Sequence, residues 1–380
     1  MGQAFPRSGG VASATTPGTM AESDSAGPQV PEAPKPDKRK RTDESSRRKL
    51  LEACQQGGIT LVLGAGISFA SGVPFWAELV DRLWKDTFPK DPFPRDVSHL
   101  PQFLPLALEL ISRKLDGEFP EALKSALYQA VKPPDRAALE QGQDSLSVLA
   151  RLLVQEHGFG GARRIQRVIT FNVDDLLETA TWLLSPQRKV LKMVSRAGHH
   201  PERGRGEQAL PIYHLHGFLP HVDPRIKNHR NEWQGAADFL VFTDSQYWSS
   251  VASPMSFANR VMSFALHDSR CLFIGLSMTD INVMRWLAVR ANEIEEDKEE
   301  QYAEQSGEQV DARNRARRSV KSALERHFWI RAEGDDPTGF IGRCLQLRGV
   351  RSVPLDNWRG PAFSQLLAEC FPATGSAPLR

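Results

Sequence analysis

Four short apolar runs end in residues that could do chemistry. Ile59-Thr60-Leu61-Val62-Leu63 runs straight into Gly64-Ala65-Gly66 and then Ile67-Ser68. Arg167-Val168-Ile169-Thr170 leads to Phe171-Asn172-Val173-Asp174-Asp175, and Pro211-Ile212-Tyr213-His214-Leu215 to His216-Gly217. Cys271-Leu272-Phe273-Ile274 leads to Gly275-Leu276-Ser277-Met278-Thr279-Asp280. Small residues between a strand and a helix let backbone N–H groups approach a pyrophosphate, where the helix dipole favours negative charge. Phe69 stands where the fingerprint G-x-G-x-x-G would want Gly or Ala, so this is not an ordinary dehydrogenase turn. A tight βα turn that needs small residues only for packing is the alternative. Asn172 could orient water or a sugar; equally, Asn172 and Asp174 could be turn and N-cap residues. His216 could serve as a base. His214 and His216 would share one strand face, but no third ligand follows at metal spacing, so no metal is expected. Asp280 could accept bonds from both hydroxyls of a ribose, or Thr279 and Asp280 could cap the next helix.

Those residues need a scaffold that brings strand ends together. The runs are apolar and partly β-branched, as buried parallel strands are. His327-Phe328-Trp329-Ile330 and Val350-Arg351-Ser352-Val353 extend the alternation of strands and helices, and Phe239-Leu240-Val241-Phe242 reads as a further strand. The pattern predicts an α/β fold, a doubly wound and mostly parallel Rossmann-like sheet. In such sheets functional groups gather beyond the C-terminal strand ends. Between Phe75 and Gly158 the spacing is helical, with Trp76, Leu79, Val80, Leu83 and Trp84 on one face, which predicts a helical module inserted at about 75–158. Further helices are expected at Ser45–Cys54, from near Asp174, at Ser253–His267 and at Pro361–Phe371. Thr243-Asp244-Ser245-Gln246 matches a capping box.

Composition narrows the class. The chain has 380 residues, 40% of them hydrophobic, and a net charge of +2, so it can bury a large core and has no global field that demands nucleic acid or acidic lipid. Its four cysteines lie far apart without a C-x-x-C pair, which argues against a paired-cysteine zinc module and a disulfide framework. No run approaches the roughly 20 apolar residues of a membrane span, and no secretory leader is visible. A cytoplasmic setting is the simplest. Residues 1–45 are poor in apolar residues and end in a basic cluster, which predicts a disordered tail. Residues 46–372 should form one folded domain, followed by a tail at 373–380. Asp223–Asp238 reads as a loop over the site. The acidic Glu293–Glu308 and basic Arg313–Arg326 stretches read as a charged hairpin or excursion, with RNA binding unlikely because aromatics are not interleaved.

The string Gly-Ala-Gly-Ile-Ser-x-x-Ser-Gly-Val-Pro at Gly64–Pro74 resembles the sirtuin nucleotide loop. Thr170-Phe171-Asn172-Val173-Asp174 is similar to the family's N-x-D segment, and Leu215-His216-Gly217 to its H-G segment. The resemblance implies NAD as substrate, with Asn172 and His216 as catalytic residues and Asp174 against the nicotinamide carboxamide. It puts Gly64, Ala65, Gly66 and Ser68 along the phosphates, Thr170 in the cofactor site, and Gly275, Ser277 and Asp280 at the adenosine end. Protein-deacylating sirtuins carry Pro-Asp-Phe-Arg where this chain has Pro74-Phe75-Trp76-Ala77, and also a four-cysteine zinc module. The combination instead resembles the sirtuin-like domains of bacterial anti-phage defence that hydrolyse NAD. That resemblance implies a homo-oligomer and an activating partner protein or phage component. An NAD-dependent deacylase and a non-catalytic NAD or ADP-ribose sensor are the alternatives.

Overall fold

The five residues Ile59–Leu63 are buried on both faces because β1 lies at the centre of the sheet. The computed structural model describes residues 38–94, 100–132, 134–194, 209–221, 240–305, 320, 324–358 and 360–373. The other strands are β2 (Ile165–Thr170), β3 (Leu191–Met193), β4 (Leu210–His214), β5 (Arg270–Ile274), β6 (His327–Ala332) and β7 (Val350–Leu355). They form a seven-stranded sheet in the order β3-β4-β2-β1-β5-β6-β7, with every neighbouring pair parallel.

Alternate residues of each strand feed two cores. Leu61, Leu63, Val168, Leu272 and Ile274 pack with the helices Lys38–Gln56, Trp76–Thr87, Ser145–Gly158 and Pro361–Cys370 on one face. Val62, Ile169, Phe273 and Trp329 pack with the helices Phe257–Asp268 and Ile281–Gln305 on the other. Helices therefore cover both faces, and the expected doubly wound α/β sheet is what the chain forms. The helices Trp76–Thr87, Leu104–Leu115, Phe119–Tyr128, Arg136–Gln141 and Ser145–Gly158 all fall between β1 and β2.

Register sets the site. Leu63 partners Thr170 on one side and Ile274 on the other, and Thr170 partners His214. Four strands therefore end at one level, and Gly64, Phe171, Leu215 and Gly275 all begin loops there. The chain leaves β1 toward β2 and later returns to β5 on the far side, so the strand order reverses at this point. Ligands of open α/β sheets bind at such a reversal.

Several expectations need correction. No α-helix starts at Ile67-Ser68: Ala65–Ile67 and Phe69–Ser71 are two 3-10 turns, and the next α-helix begins at Trp76, after Pro74. Gly72, at φ +94°, ends the second turn close against Ala130, which breaks the helical path. Leu240 makes one antiparallel bridge with Gly217 rather than belonging to a strand. The first helix starts at Lys38, seven residues before Ser45, and the helix from Ile281 runs unbroken to Gln305 through the acidic stretch. The short edge strand β3 and the helix Arg136–Gln141 were not expected from sequence; both are too short to show a period. Residues 1–37, the loop at 223–238, 306–319 of the charged excursion and 374–380 lie outside the described residues. Among the described residues, no helix is long and apolar enough to cross a membrane.

Candidate functional site

The loops after β1 and β2 meet through side chains. Asn172 Nδ2 donates to Ser68 Oγ at 3.2 Å, and Ser68 Oγ donates to Asp174 Oδ1 at 3.1 Å. Ser68 is fully buried; Asn172 and Asp174 are 8% and 5% exposed. The same Asp174 oxygen accepts the Leu176 amide at 3.1 Å, so the carboxyl also holds the first turn of the helix Leu176–Leu184. The N-cap of that helix is Asp175 rather than the Asp174 of the capping alternative; Asp174 stands one residue before it and takes the Leu176 amide as well as the contact across the site. Thr170 accepts the Asn172 amide on its hydroxyl at 3.0 Å.

Burial pushes the Asp174 carboxyl up to about 6, while the Leu176 amide pulls it back. Asp175 beside it is raised well above the carboxylate range, again chiefly by burial. Burial without a full set of partners disfavours the charged form.

The two histidines have different environments. His214 Nδ1 donates to the Asn172 carbonyl at 2.9 Å, and Nε2 meets Glu178 Oε1 at 2.6 Å. Both ring nitrogens are engaged, which removes His214 from any metal site. Burial opposes its charge, but Glu178, the Asn172 carbonyl and Asp174 together hold its pKa above the ordinary value. His216 lies against aromatic faces, edge-on to Phe171 at 5.1 Å and to Tyr247 at 5.7 Å between centroids. Burial pushes His216 below its ordinary pKa, against a pull from Asp280, so it is neutral at pH 7 and able to accept a proton.

The glycines are explained first by packing. Gly64 N–H donates to the Ile274 carbonyl and Gly66 N–H to the Gly275 carbonyl, each at 3.0 Å. A Cβ on Gly64 would sit 2.6 Å from the Gly275 oxygen, and one on Gly66 2.8 Å from the Gly275 Cα. The Ile67 and Ser68 amides bond back to Gly64 and Ala65. Four amides of the loop are therefore spent inside the protein. Any phosphate contact falls to the half-buried Ala65 and to the loop's outer face.

At the end of β5, Gly275 turns at φ +68°. Ser277 pairs with Thr279 at 2.8 Å in an exposed turn. Asp280 Oδ1 accepts the amides of Asn282 and Val283 at 2.8 and 3.0 Å, so the capping alternative holds for this residue. Its other oxygen accepts from the Tyr247 hydroxyl. Tyr247 thereby joins Asp280 to the surroundings of His216. Sequence reasoning did not find Tyr247 or Glu178. The capping box that places the helix Asp244–Ala252 was visible, but no local signal says which of its side chains faces the site.

Residues 166–329 match the family model described as a SIR2-like domain. The matched stretch contains Asn172, Asp174, His216, Gly275, Ser277 and Asp280, and the glycine loop lies before it. A solved structure described as the structural basis for the mechanism and regulation of Sir2 enzymes is similar at 13% identity, over 86% of this chain and 96% of that one, with a TM-score of 0.36. That overlap is too loose to carry a functional argument. No curated protein matches the chain. Among the described residues, no group of three or more His, Cys, Asp or Glu side chains is placed to hold a metal ion.

Proposed function

We propose that this protein is an NAD hydrolase that cleaves the bond between nicotinamide and ribose, giving nicotinamide and ADP-ribose. The observation that carries the reading is the direct contact of Ser68, from the glycine turn, with Asn172 and Asp174, at the strand end where His216 also lies. The SIR2-like match over 166–329 supports NAD as the substrate.

The bond is easily broken once held, because the pyridinium leaves as a neutral molecule and the sugar passes through an oxocarbenium-like state. In this reading Asn172 orients the ribose and the attacking water, and neutral His216 accepts the proton. Asp174, whose raised pKa leaves a protonated fraction near neutrality, faces the nicotinamide carboxamide. Ala65 adjoins the phosphates, with Gly64, Gly66, Ser68 and Thr170 holding the loop and the Asn172 peptide. Gly275 and Ser277 adjoin the adenosine end. Asp280, with its oxygens on two helix amides and Tyr247, would fix that end from behind.

The sequence departures at Pro74-Phe75-Trp76-Ala77 favour hydrolysis over deacylation. With this reading go the roles implied by the anti-phage resemblance: a cytoplasmic NAD-depleting effector whose catalytic domain spans 46–372, quiet in a homo-oligomer until a partner or phage component releases it. Protein incubated with NAD, at high protein concentration and with infected-cell lysate to supply the trigger, tests the chemistry. Nicotinamide release without acylated lysine supports hydrolysis, release only with acylated lysine supports deacylation, and binding without release supports a sensor. Asn172→Ala should abolish the NAD loss of infected cells; an undiminished loss would remove Asn172 from the mechanism.

A further inference from the structure

Asn172 lies just beyond the parallel ladder. The last bonds that extend the ladder here are Phe171 N–H to the Leu63 carbonyl at 3.0 Å and Leu215 N–H to the Thr170 carbonyl at 2.9 Å. At Asn172 itself, side chains replace strand neighbours. The Thr170 hydroxyl takes its N–H at 3.0 Å, and His214 Nδ1 donates to its C=O at 2.9 Å. His214 is in turn held by Glu178 at 2.6 Å and packs edge-on to Phe218 at 4.7 Å.

This arrangement is costly. A carbonyl only accepts, so Nδ1 carries hydrogen, and Glu178 beside Nε2 favours the charged form of a ring that burial disfavours. Its partner Glu178 is 8% exposed, and Glu178 Oε2 and the neighbouring Asp175 Oδ2 are buried with no hydrogen-bond partner among the described residues. A pair of apolar side chains would fill the same volume without that desolvation cost. What an apolar pair cannot do is donate a hydrogen bond to the Asn172 carbonyl.

We propose that His214, clamped between Glu178 and the Asn172 carbonyl, is a positioning residue that fixes the Asn172 peptide and thereby aims the Asn172 amide at the substrate. The proposal rests on the reading of Asn172 as catalytic in NAD cleavage. Its immediate claim, that His214 sets the orientation of Asn172, concerns this chain alone.

Amide substitutions separate the two bonds of the ring. The side-chain nitrogen of Asn branches from Cγ, as Nδ1 does, whereas that of Gln lies one atom further out, near the place of Nε2. His214→Asn therefore keeps a donor for the Asn172 carbonyl, and His214→Gln keeps only the contact with Glu178. Both are made in the full-length chain, alone and together with Glu178→Gln, which removes the uncompensated carboxylate should it prevent folding. Two quantities are measured: the side-chain amide resonance of Asn172 in protein labelled with 15N-asparagine, and steady-state nicotinamide release from NAD.

The expected result is that His214→Gln shifts the Asn172 resonance and lowers kcat by about 10–100-fold with KM nearly unchanged, as a misplaced catalytic group does. His214→Asn should keep both near wild type. An unmoved resonance in His214→Gln, or equal losses in the two variants, overturns the positioning role. A wild-type protein that releases no nicotinamide even with infected-cell lysate overturns the hydrolase reading instead, and the resonance still decides what His214 does.

Discussion

Asp174 and His216 are both buried beside the Asn172 loop, yet burial moves their proton affinities in opposite directions because it disfavours charge in each. An unfolded Asp titrates near 3.8 and Asp174 near 6, so between those values the folded chain binds more protons. Stability therefore falls as pH rises through that window, and the full cost, on the order of 3 kcal/mol, is present above it. Asp174→Asn keeps an oxygen for Ser68 and Leu176 without the charge. It should raise unfolding stability at pH 7.5 by about 1–3 kcal/mol and flatten the profile between pH 4 and 6, as urea titrations would reveal. A gain in stability together with a loss of NAD turnover would mark a residue kept for function at the expense of the fold. His216 has the opposite sign: its folded pKa lies below the unfolded 6.5, so stability is lost as pH falls from 6.5 through the folded pKa, and the neutral base is lost only at that lower value. The rate should rise with pH along an acid limb whose apparent pKa is under 6.5, and His216→Ala should cost about 10²–10⁴ in kcat. Initial rates from pH 5 to 8 check both.

At the scale of elements, the loops after β1 and β5 are one packed unit. Gly64 and Gly66 lie against the backbone of Gly275, whose own φ of +68° suits glycine. Gly66→Ala should therefore destabilise the protein by about 1–3 kcal/mol with no NAD present, read as a fall in Tm. Were these glycines needed only for phosphate approach, the same substitution would leave the ligand-free Tm unchanged. The capping box makes a second test of an element. Thr243 accepts the Gln246 amide on its hydroxyl, and the Gln246 side chain returns to the Thr243 amide at 3.1 Å. Loss of the cap in Thr243→Ala should cost about 1 kcal/mol and loosen the helix that carries Tyr247. Hydrogen exchange at Tyr247–Ala252 would register the loosening.

For the whole molecule, the helical module must be fastened to the sheet at the end opposite the site. Glu156 does this from the last turn of the helix Ser145–Gly158. Fully buried, it accepts the amides of Arg164 and Ile165 at 2.6 and 3.3 Å and the Arg164 guanidinium at 2.5 Å. Arg164 also donates to the Pro372 carbonyl at 3.2 Å and lies over the Phe371 ring, so the end of the last helix is tied in. Glu156→Gln leaves a half-paired guanidinium and forces an amide nitrogen toward N–H donors. It should lower stability by about 3 kcal/mol with an unchanged m-value, since the same surface is exposed on unfolding.

The parallel sheet was legible because its strands are short apolar runs, each ending in glycine or polar residues, and the Thr243 cap because its bonds close within four residues. Asn172, Asp174 and His216 could be singled out because they stand directly behind such runs, and their motif spacing carried the family resemblance. The sequence could not show that the glycine loop spends amides on Ile274 and Gly275 or that Ser68 joins Asn172 to Asp174. Nor could it show that His214 holds the Asn172 carbonyl while Glu178 holds His214. These contacts span 36 to more than 200 residues of chain. They exist only once strand order and register have brought four strand ends to one level. Local pattern dictates where each strand stops; the folded sheet decides which stops become neighbours.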